Sequence, residues 1–251
     1  MNIPVPWVVV ALGLATGAGA AASCGPRSEV GDARSRATAP ATAAPARAPS
    51  GAVASGTAAP AASRPRIVFL GDSLTAGLGL AISDSYPALI QRRLDAAGLN
   101  YEVVNAGVSG DTSAGGLARL DWALAGDVRI LVVALGGNDA LRALPAGQLE
   151  QNLATIIERA RARGISVVLA GMEAPPNFGR DYIVSFHKVY PELASRYHVA
   201  FVPFLLQGVA GNDALNQRDG IHPTAEGARM VADTVWTVLK PLAEGEKRSG
   251  S

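Results

Sequence analysis

The sequence predicts a three-layer α/β/α domain built on a parallel five-stranded sheet, and three observations carry that reading. From residue 66 onward, short apolar runs rich in β-branched residues alternate five times with stretches of helical periodicity. The central runs, Ile67-Val68-Phe69-Leu70 and Ile130-Leu131-Val132-Val133-Ala134-Leu135, are apolar throughout, as expected of strands covered by helices on both faces. Polar, glycine-rich clusters follow several of these runs, at the strand ends where open α/β sheets bind ligands.

The elements follow in order. Arg66 to Leu70 reads as the first strand, closed by the turn Gly71-Asp72-Ser73-Leu74-Thr75-Ala76-Gly77. Glycine there lets the backbone turn sharply, and Ser73 lies near a helix N-terminus whose free N–H groups favour negative charge. Ser83 to Ala97 carries Tyr86, Leu89, Ile90 and Leu94 at helical spacing, with Gly98 as a stop. Tyr101 to Asn105 is the second strand, Thr112 to Ala125 a helix and Arg129 to Leu135 the third strand. Gln148 to Arg163 turns Leu149, Leu153, Ile156 and Ile157 inward; Ile165 to Ala170 follows as the fourth strand. Asp181 to Tyr197 is the next helix, Val199 to Val202 a short last strand, and Thr224 to Leu239 the closing helix after Pro223. The residues from 244 to 251 read as a polar tail.

The residues before 66 are of a different kind. Met1 to Ser23 has no charged side chain and contains Trp7-Val8-Val9-Val10-Ala11-Leu12-Gly13-Leu14, a run resembling a bacterial export signal and short for a membrane span. Ala21-Ala22-Ser23-Cys24-Gly25 resembles a lipobox, which makes Cys24 the candidate lipidation site at the end of a signal spanning 1–24. The alternative is an ordinary secretory signal with Cys24 a bystander. As the only cysteine of the chain, it has no intrachain disulfide partner. Residues 25–65 are dominated by Ala, Pro, Ser, Thr, Gly and Arg and cannot bury enough apolar surface to offset the entropy of ordering, so they read as a disordered linker. As a flexible coil it would span on the order of 35 Å, which suits a tether between membrane and domain. From residue 66 on, seventeen basic face nineteen acidic side chains, and nothing points to nucleic acid.

The chemistry gathers in four places: Ser73; Asn105 to Thr112, with Gly110; Gly136-Gly137-Asn138-Asp139; and Asp219-Gly220-Ile221-His222-Pro223. Serine is a weak nucleophile until a base accepts its proton, and imidazole titrates near neutrality, which points to His222. Asp219, three positions earlier, can reach the other ring nitrogen, fix its tautomer and stabilise the imidazolium. In this order the four blocks resemble the SGNH hydrolases, also called the GDSL esterase/lipase family, over residues 66 to about 242. Ser109 to Ser113 and Gly116 to Leu120 are further similar to its secreted bacterial thioesterase, lysophospholipase and arylesterase branch, and Pro176-Asn177-Phe178-Gly179 to that branch's site-lining loop. The resemblance implies a flavodoxin-like sheet and a catalytic domain at 66–243. It also implies catalytic Ser73, His222 and Asp219, and an oxyanion hole made by the backbone N–H of Ser73 and Gly110 with the Asn138 amide.

No metal or other cofactor is expected, since no His, Cys and Asp cluster has ligand spacing and serine acyl transfer needs none. Asp72, Asp111 and Asp139 read as capping and turn-supporting acids, His187 and His198 as surface or packing residues, and Trp122 and Trp236 as core aromatics. The expected activity is hydrolysis of a small acyl ester or thioester outside the cytoplasm, by a periplasmic, membrane-tethered or secreted enzyme. The alternatives are a carbohydrate O-deacetylase on the same residues and a phosphate-binding module built on residues 71 to 79. The second lacks the P-loop lysine and leaves His222 and Asp219 without a role.

Overall fold

The computed structural model describes residues 64–249. The expected export signal, the candidate lipidation site Cys24 and the expected linker up to residue 63 lie outside the described residues. The strands are β1 (Arg66–Gly71), β2 (Glu102–Gly107), β3 (Val128–Ala134), β4 (Ser166–Ala170) and β5 (Ala200–Val202). All pairings are parallel, in the order β2-β1-β3-β4-β5, the flavodoxin-like arrangement. The helices are α1 (Ser73–Ala76), α2 (Tyr86–Ala96), α3 (Ser113–Ala118), α4 (Leu120–Ala123), α5 (Gly137–Leu141), α6 (Ala146–Arg161), α7 (Arg180–Tyr197) and α8 (Ala225–Ser249). α2 packs with α8, while α6 packs with α3 and α7, so that helices flank the sheet.

The core explains why the apolar runs become strands. Ile67 to Leu70 of β1 and Ile130 to Val133 of β3 are wholly buried, and each such apolar side chain contributes about 1.5–3 kcal/mol. Sheet order then sets the position of the site. From β1 the chain goes one way to β2 and the other way to β3, leaving a crevice between the carboxyl ends of β1 and β3. Ser73 follows β1 and Asn138 follows β3, so both stand at that crevice.

Three stretches depart from the sequence expectation. The helix expected over Thr112 to Ala125 is two short ones, broken at Arg119, whose side chain leaves the helical path to bond Asp111 and the carbonyl of Gly71. The closing helix does not stop at Leu239 but runs on through Pro241 to Ser249, so residues 244–249 are helical rather than a tail. Buried Ala243 and the Ser166 Oγ to Glu246 Oε1 bond at 2.5 Å outweigh the hydrogen bond that proline removes. Trp122 is 70% exposed on α4 and is not a core aromatic; Trp236 is half-buried against the core. At the other end, Arg64 pairs with Asp95 at 2.7 Å and the Pro65 carbonyl accepts from the Glu102 amide, so the chain is held just before β1.

Candidate active site

Ser73 opens α1, a single turn that follows β1 without a loop. Asp72 caps it, its Oδ1 accepting from the Leu74 amide at 3.0 Å, and Gly77 ends it in the left-handed region at φ 77°. The turn sits close to the sheet because Gly71 and Gly107 have no side chains: a Cβ on Gly71 would lie 1.9 Å from Thr75 Oγ1, and one on Gly107 would lie 2.2 Å from the Ala76 nitrogen.

His222 reaches Ser73 from the loop before α8. Its Nε2 lies 2.8 Å from Ser73 Oγ, and its Nδ1 lies 2.7 Å from Asp219 Oδ2. The second carboxylate oxygen of Asp219 accepts the amides of Ile221 and His222 at 2.9 and 3.0 Å. Desolvation raises the Asp219 pKa, but these two amides and the imidazole outweigh it and hold the carboxyl down at about 2. An ionised carboxylate fixes the ring with Nδ1 protonated and Nε2 facing the hydroxyl. A hydroxyl so paired can lose its proton as it attacks an acyl carbonyl.

The three expected oxyanion donors converge on the same end of the sheet, in two different states. The Ser73 and Gly110 amides donate to no protein acceptor among the described residues, and Gly110 takes φ 85°. Asn138 is occupied: its Nδ2 donates to Asp72 Oδ2 at 3.2 Å and to the Asp111 carbonyl at 3.0 Å. Both partners accept, which settles the orientation of the amide. Asp72 is 2% exposed, and burial raises its carboxyl to about 6 against the pull of the Leu74 amide, His222 and Asn138.

The neighbouring acids divide their work differently from expectation. Asp72 does cap a helix, but Asp111 does not: Thr112 caps α3, while Asp111 Oδ2 pairs with Arg119 Nε at 2.6 Å. Asp139 accepts the Ser113 amide and hydroxyl at 2.8 and 2.5 Å, tying α5 to α3. Arg119 Nη2 also donates to the Gly71 carbonyl at 2.9 Å, and Arg142 Nη2 donates to the Gly110 carbonyl at 2.9 Å. Both arginines thus steady the loop that carries Gly110, a function with no motif of its own. His187 pairs with Glu173 on the surface, and His198 ends α7 at φ 51°. Pro176–Phe178 forms a 3-10 turn whose Phe178 packs on Tyr182, and Tyr182 in turn bonds the Leu144 carbonyl after α5.

Apolar side chains surround Ser73 and His222. A narrow space of about 10 Å³ adjoins Ser73 and His222, lined by Leu74, Leu78, Leu80, Leu206 and Val231. Exposed Leu78, Val108, Leu141 and Ile221 stand on the segments that carry Ser73, Gly110, Asn138 and His222. Among the described residues no group of three His, Cys, Asp or Glu side chains is placed to hold a metal ion, and no helix is long and apolar enough to cross a membrane.

Comparison with known proteins identifies relatives of this chain. Residues 69–230 match the GDSL-like Lipase/Acylhydrolase family. Esterase TesA of Pseudomonas aeruginosa is 49% identical over 177 residues, 70% of this chain and 88% of that protein. Thioesterase 1/protease 1/lysophospholipase L1 of Escherichia coli K12 is 38% identical over 183 residues, 72% of this chain and 86% of the relative. A crystal structure of TesA superposes with a TM-score of 0.68 at 47% identity, covering 70% of this chain and 99% of that one.

Proposed function

The chain belongs to the GDSL-like lipase/acylhydrolase family and is a serine ester hydrolase, and from that premise we propose that Ser73 is its nucleophile, His222 its general base and Asp219 the acid that orients the base. Ser73 Oγ bonds to the acyl carbon while its proton passes to His222 Nε2. The carbonyl oxygen becomes an oxyanion facing the amides of Ser73 and Gly110 and the Asn138 side chain. Collapse expels the alcohol or thiol, which takes the proton back from His222. Water, activated by the same imidazole, then hydrolyses the acyl-enzyme and restores the Ser73 hydroxyl. The observation that carries this reading is the unbroken relay from Asp219 Oδ2 through His222 to Ser73 Oγ, with contacts of 2.7 and 2.8 Å.

Ser73→Ala and His222→Ala should each remove most turnover and leave the fold intact, because nucleophile and base act as one unit. The measurement is hydrolysis of an aryl ester beside labelling by a fluorophosphonate, which should mark Ser73 alone. Near wild-type turnover in the Ser73 variant would remove the assignment. The substrates we infer are acyl esters or thioesters whose chain lies against apolar surface, and what supports this is the set Leu78, Val108, Leu141 and Ile221. A panel of short aryl esters, long-chain acyl-thioesters, lysophospholipid and acetylated xylan separates this reading from the O-deacetylase alternative.

The place of action is inferred from sequence. Export through residues 1–24 and lipidation at Cys24 would leave the domain on a tether beginning at a lipid anchor. Expressed at full length in a bacterial host, the protein should enter the membrane fraction with an acylated mature N-terminus at Cys24. Cys24→Ala should move it to the soluble fraction without altering activity per molecule. An unmodified N-terminus starting elsewhere, with soluble wild type, would identify a freely secreted enzyme.

A further inference from the structure

Ser73 and His222 are 149 residues apart in the chain and belong to separate elements, so something must fix the 2.8 Å between them. Gln217 is the side chain that spans the two segments. Its Nε2 donates to the Leu78 carbonyl at 2.8 Å and to the Pro223 carbonyl at 3.0 Å. Its backbone amide donates to the His222 carbonyl at 2.7 Å, and its backbone carbonyl accepts the Gly220 amide at 2.9 Å. On the far side, the Leu78 amide donates to the Ser73 carbonyl at 3.0 Å. The Gln217 side chain therefore links a residue bonded to the Ser73 carbonyl with Pro223, while its backbone amide holds the adjacent His222 carbonyl.

The approach depends on glycine. A Cβ on Gly79 would lie 2.2 Å from Gln217 Oε1, and the backbone there takes φ 79°. Both amide hydrogens of Gln217 are used and both acceptors are neutral carbonyls. Glutamate at the same position would set a carboxylate against two carbonyl oxygens.

We propose that Gln217 is a positioning residue for the reaction, acting through its hydrogen bonds to Leu78 and Pro223 to hold the His222 imidazole in register with the Ser73 hydroxyl. This rests on the reading of Ser73 and His222 as nucleophile and base. It goes further in assigning the alignment of the pair to a residue outside it. The Asp219 carboxylate fixes which way the ring faces, whereas Gln217 fixes how far the loop stands from α1.

The test is per-site kinetics on Gln217→Ala and Gln217→Met, with active sites counted by stoichiometric phosphonylation of Ser73 so that any unfolded fraction drops out. Misplacing reacting groups by about 1 Å costs on the order of 10²-fold, and kcat per titrated site should fall by 10- to 100-fold with KM on a short ester within about twofold. The phosphonylation rate should fall by the same factor, because that step also requires His222 to activate Ser73. Gln217→Glu should do worse than Gln217→Ala at alkaline pH and recover relative to wild type as pH falls, when a protonated carboxyl regains one donor. A purely structural role would lower the number of titratable sites and leave each surviving site at full rate. That outcome, or a per-site kcat within twofold of wild type in both Ala and Met variants, overturns the proposal. If Ser73→Ala also retained turnover, the assignment of the pair itself would be at fault instead.

Discussion

The side chain of Asn138 has no hydrogen to spare in the resting enzyme, and this constrains the oxyanion-binding role proposed for it. To bind an oxyanion it has to release one acceptor, and the neutral Asp111 carbonyl is the weaker of its two partners; Asp72 offers a carboxylate, and charge-assisted bonds are roughly twice as strong. In the proposed role the oxyanion would replace a carbonyl while Asp72 keeps the amide plane in place. Deleting such a donor elsewhere costs about 10²–10³ in kcat, and Asn138→Ala should fall in that range with KM little changed. Steady-state kinetics on a soluble ester checks this; an effect confined to KM would assign Asn138 to substrate binding. Asp72 and Asp219 also pull stability in opposite directions with pH. The folded carboxyl of Asp219 sits at about 2, below its unfolded value, so its contribution is present above pH 4 and is lost as pH falls through 2. That of Asp72 sits at about 6, so its protonated form favours the fold below pH 4 and this advantage is lost as pH rises through 6. A rise of roughly two units corresponds to about 3 kcal/mol. Thermal melts of Asp72→Asn from pH 3 to 8 should show the variant gaining on wild type across that window; a constant difference would contradict the buried acid. The pairing of His222 with Asp219 was legible because the two share one short motif, whereas the Asn138 to Asp72 contact joins positions 66 apart and leaves no local signature.

Elements whose stability comes from apolar periodicity were recognisable in the sequence, and those held together by caps and close contacts were not. α6 presents Leu149, Leu153, Ile156 and Ile157 to the core at the spacing of a helix face, so its existence follows from the pattern. α1 and α5 are single turns of Ser-Leu-Thr-Ala and Gly-Asn-Asp-Ala-Leu with no such face, specified instead by Asp72 and by Gly136 at φ 116°. In both, the candidate side chain, Ser73 or Asn138, lies in the first two residues, where unpaired backbone N–H groups cluster. The break between α3 and α4 was hidden for a related reason: it is made by Arg119 reaching back to β1, a tertiary contact. α1 is also the element with least room. Gly71→Ala would drive a methyl into Thr75, whose hydroxyl bonds Tyr86 Oη at 2.7 Å, and within 2.9 Å of the Ala134 carbonyl on β3. Overpacking of this kind costs about 3 kcal/mol, or roughly 6–12 °C in Tm for a domain of this size, measurable by calorimetry. An unchanged Tm would mean that the turn is softer than these contacts imply.

At the scale of the molecule, five parallel strands put Ser73, Gly110, Asn138 and His222 at one edge of the sheet. The alternation of apolar runs was enough to foresee that edge, because helices on both faces leave only the strand ends for ligands. The order of the strands was not contained in the periodicity and came with the family resemblance, since crossover direction depends on contacts between distant segments. The surface was legible least: Trp122 carries the composition of a core residue but lies on a short helix whose buried positions are Leu120 and Ala123. The opposite edge of the same sheet holds both ends of the domain. The chain enters at Arg64, just before the first residue of β1, and leaves near Glu246, which is bonded to Ser166 at the first residue of β4. For anyone fixing the protein to a bead, a sensor or a carrier domain, this makes either end a natural handle: attached there, the catalyst faces outward, its mouth a full strand length from the support.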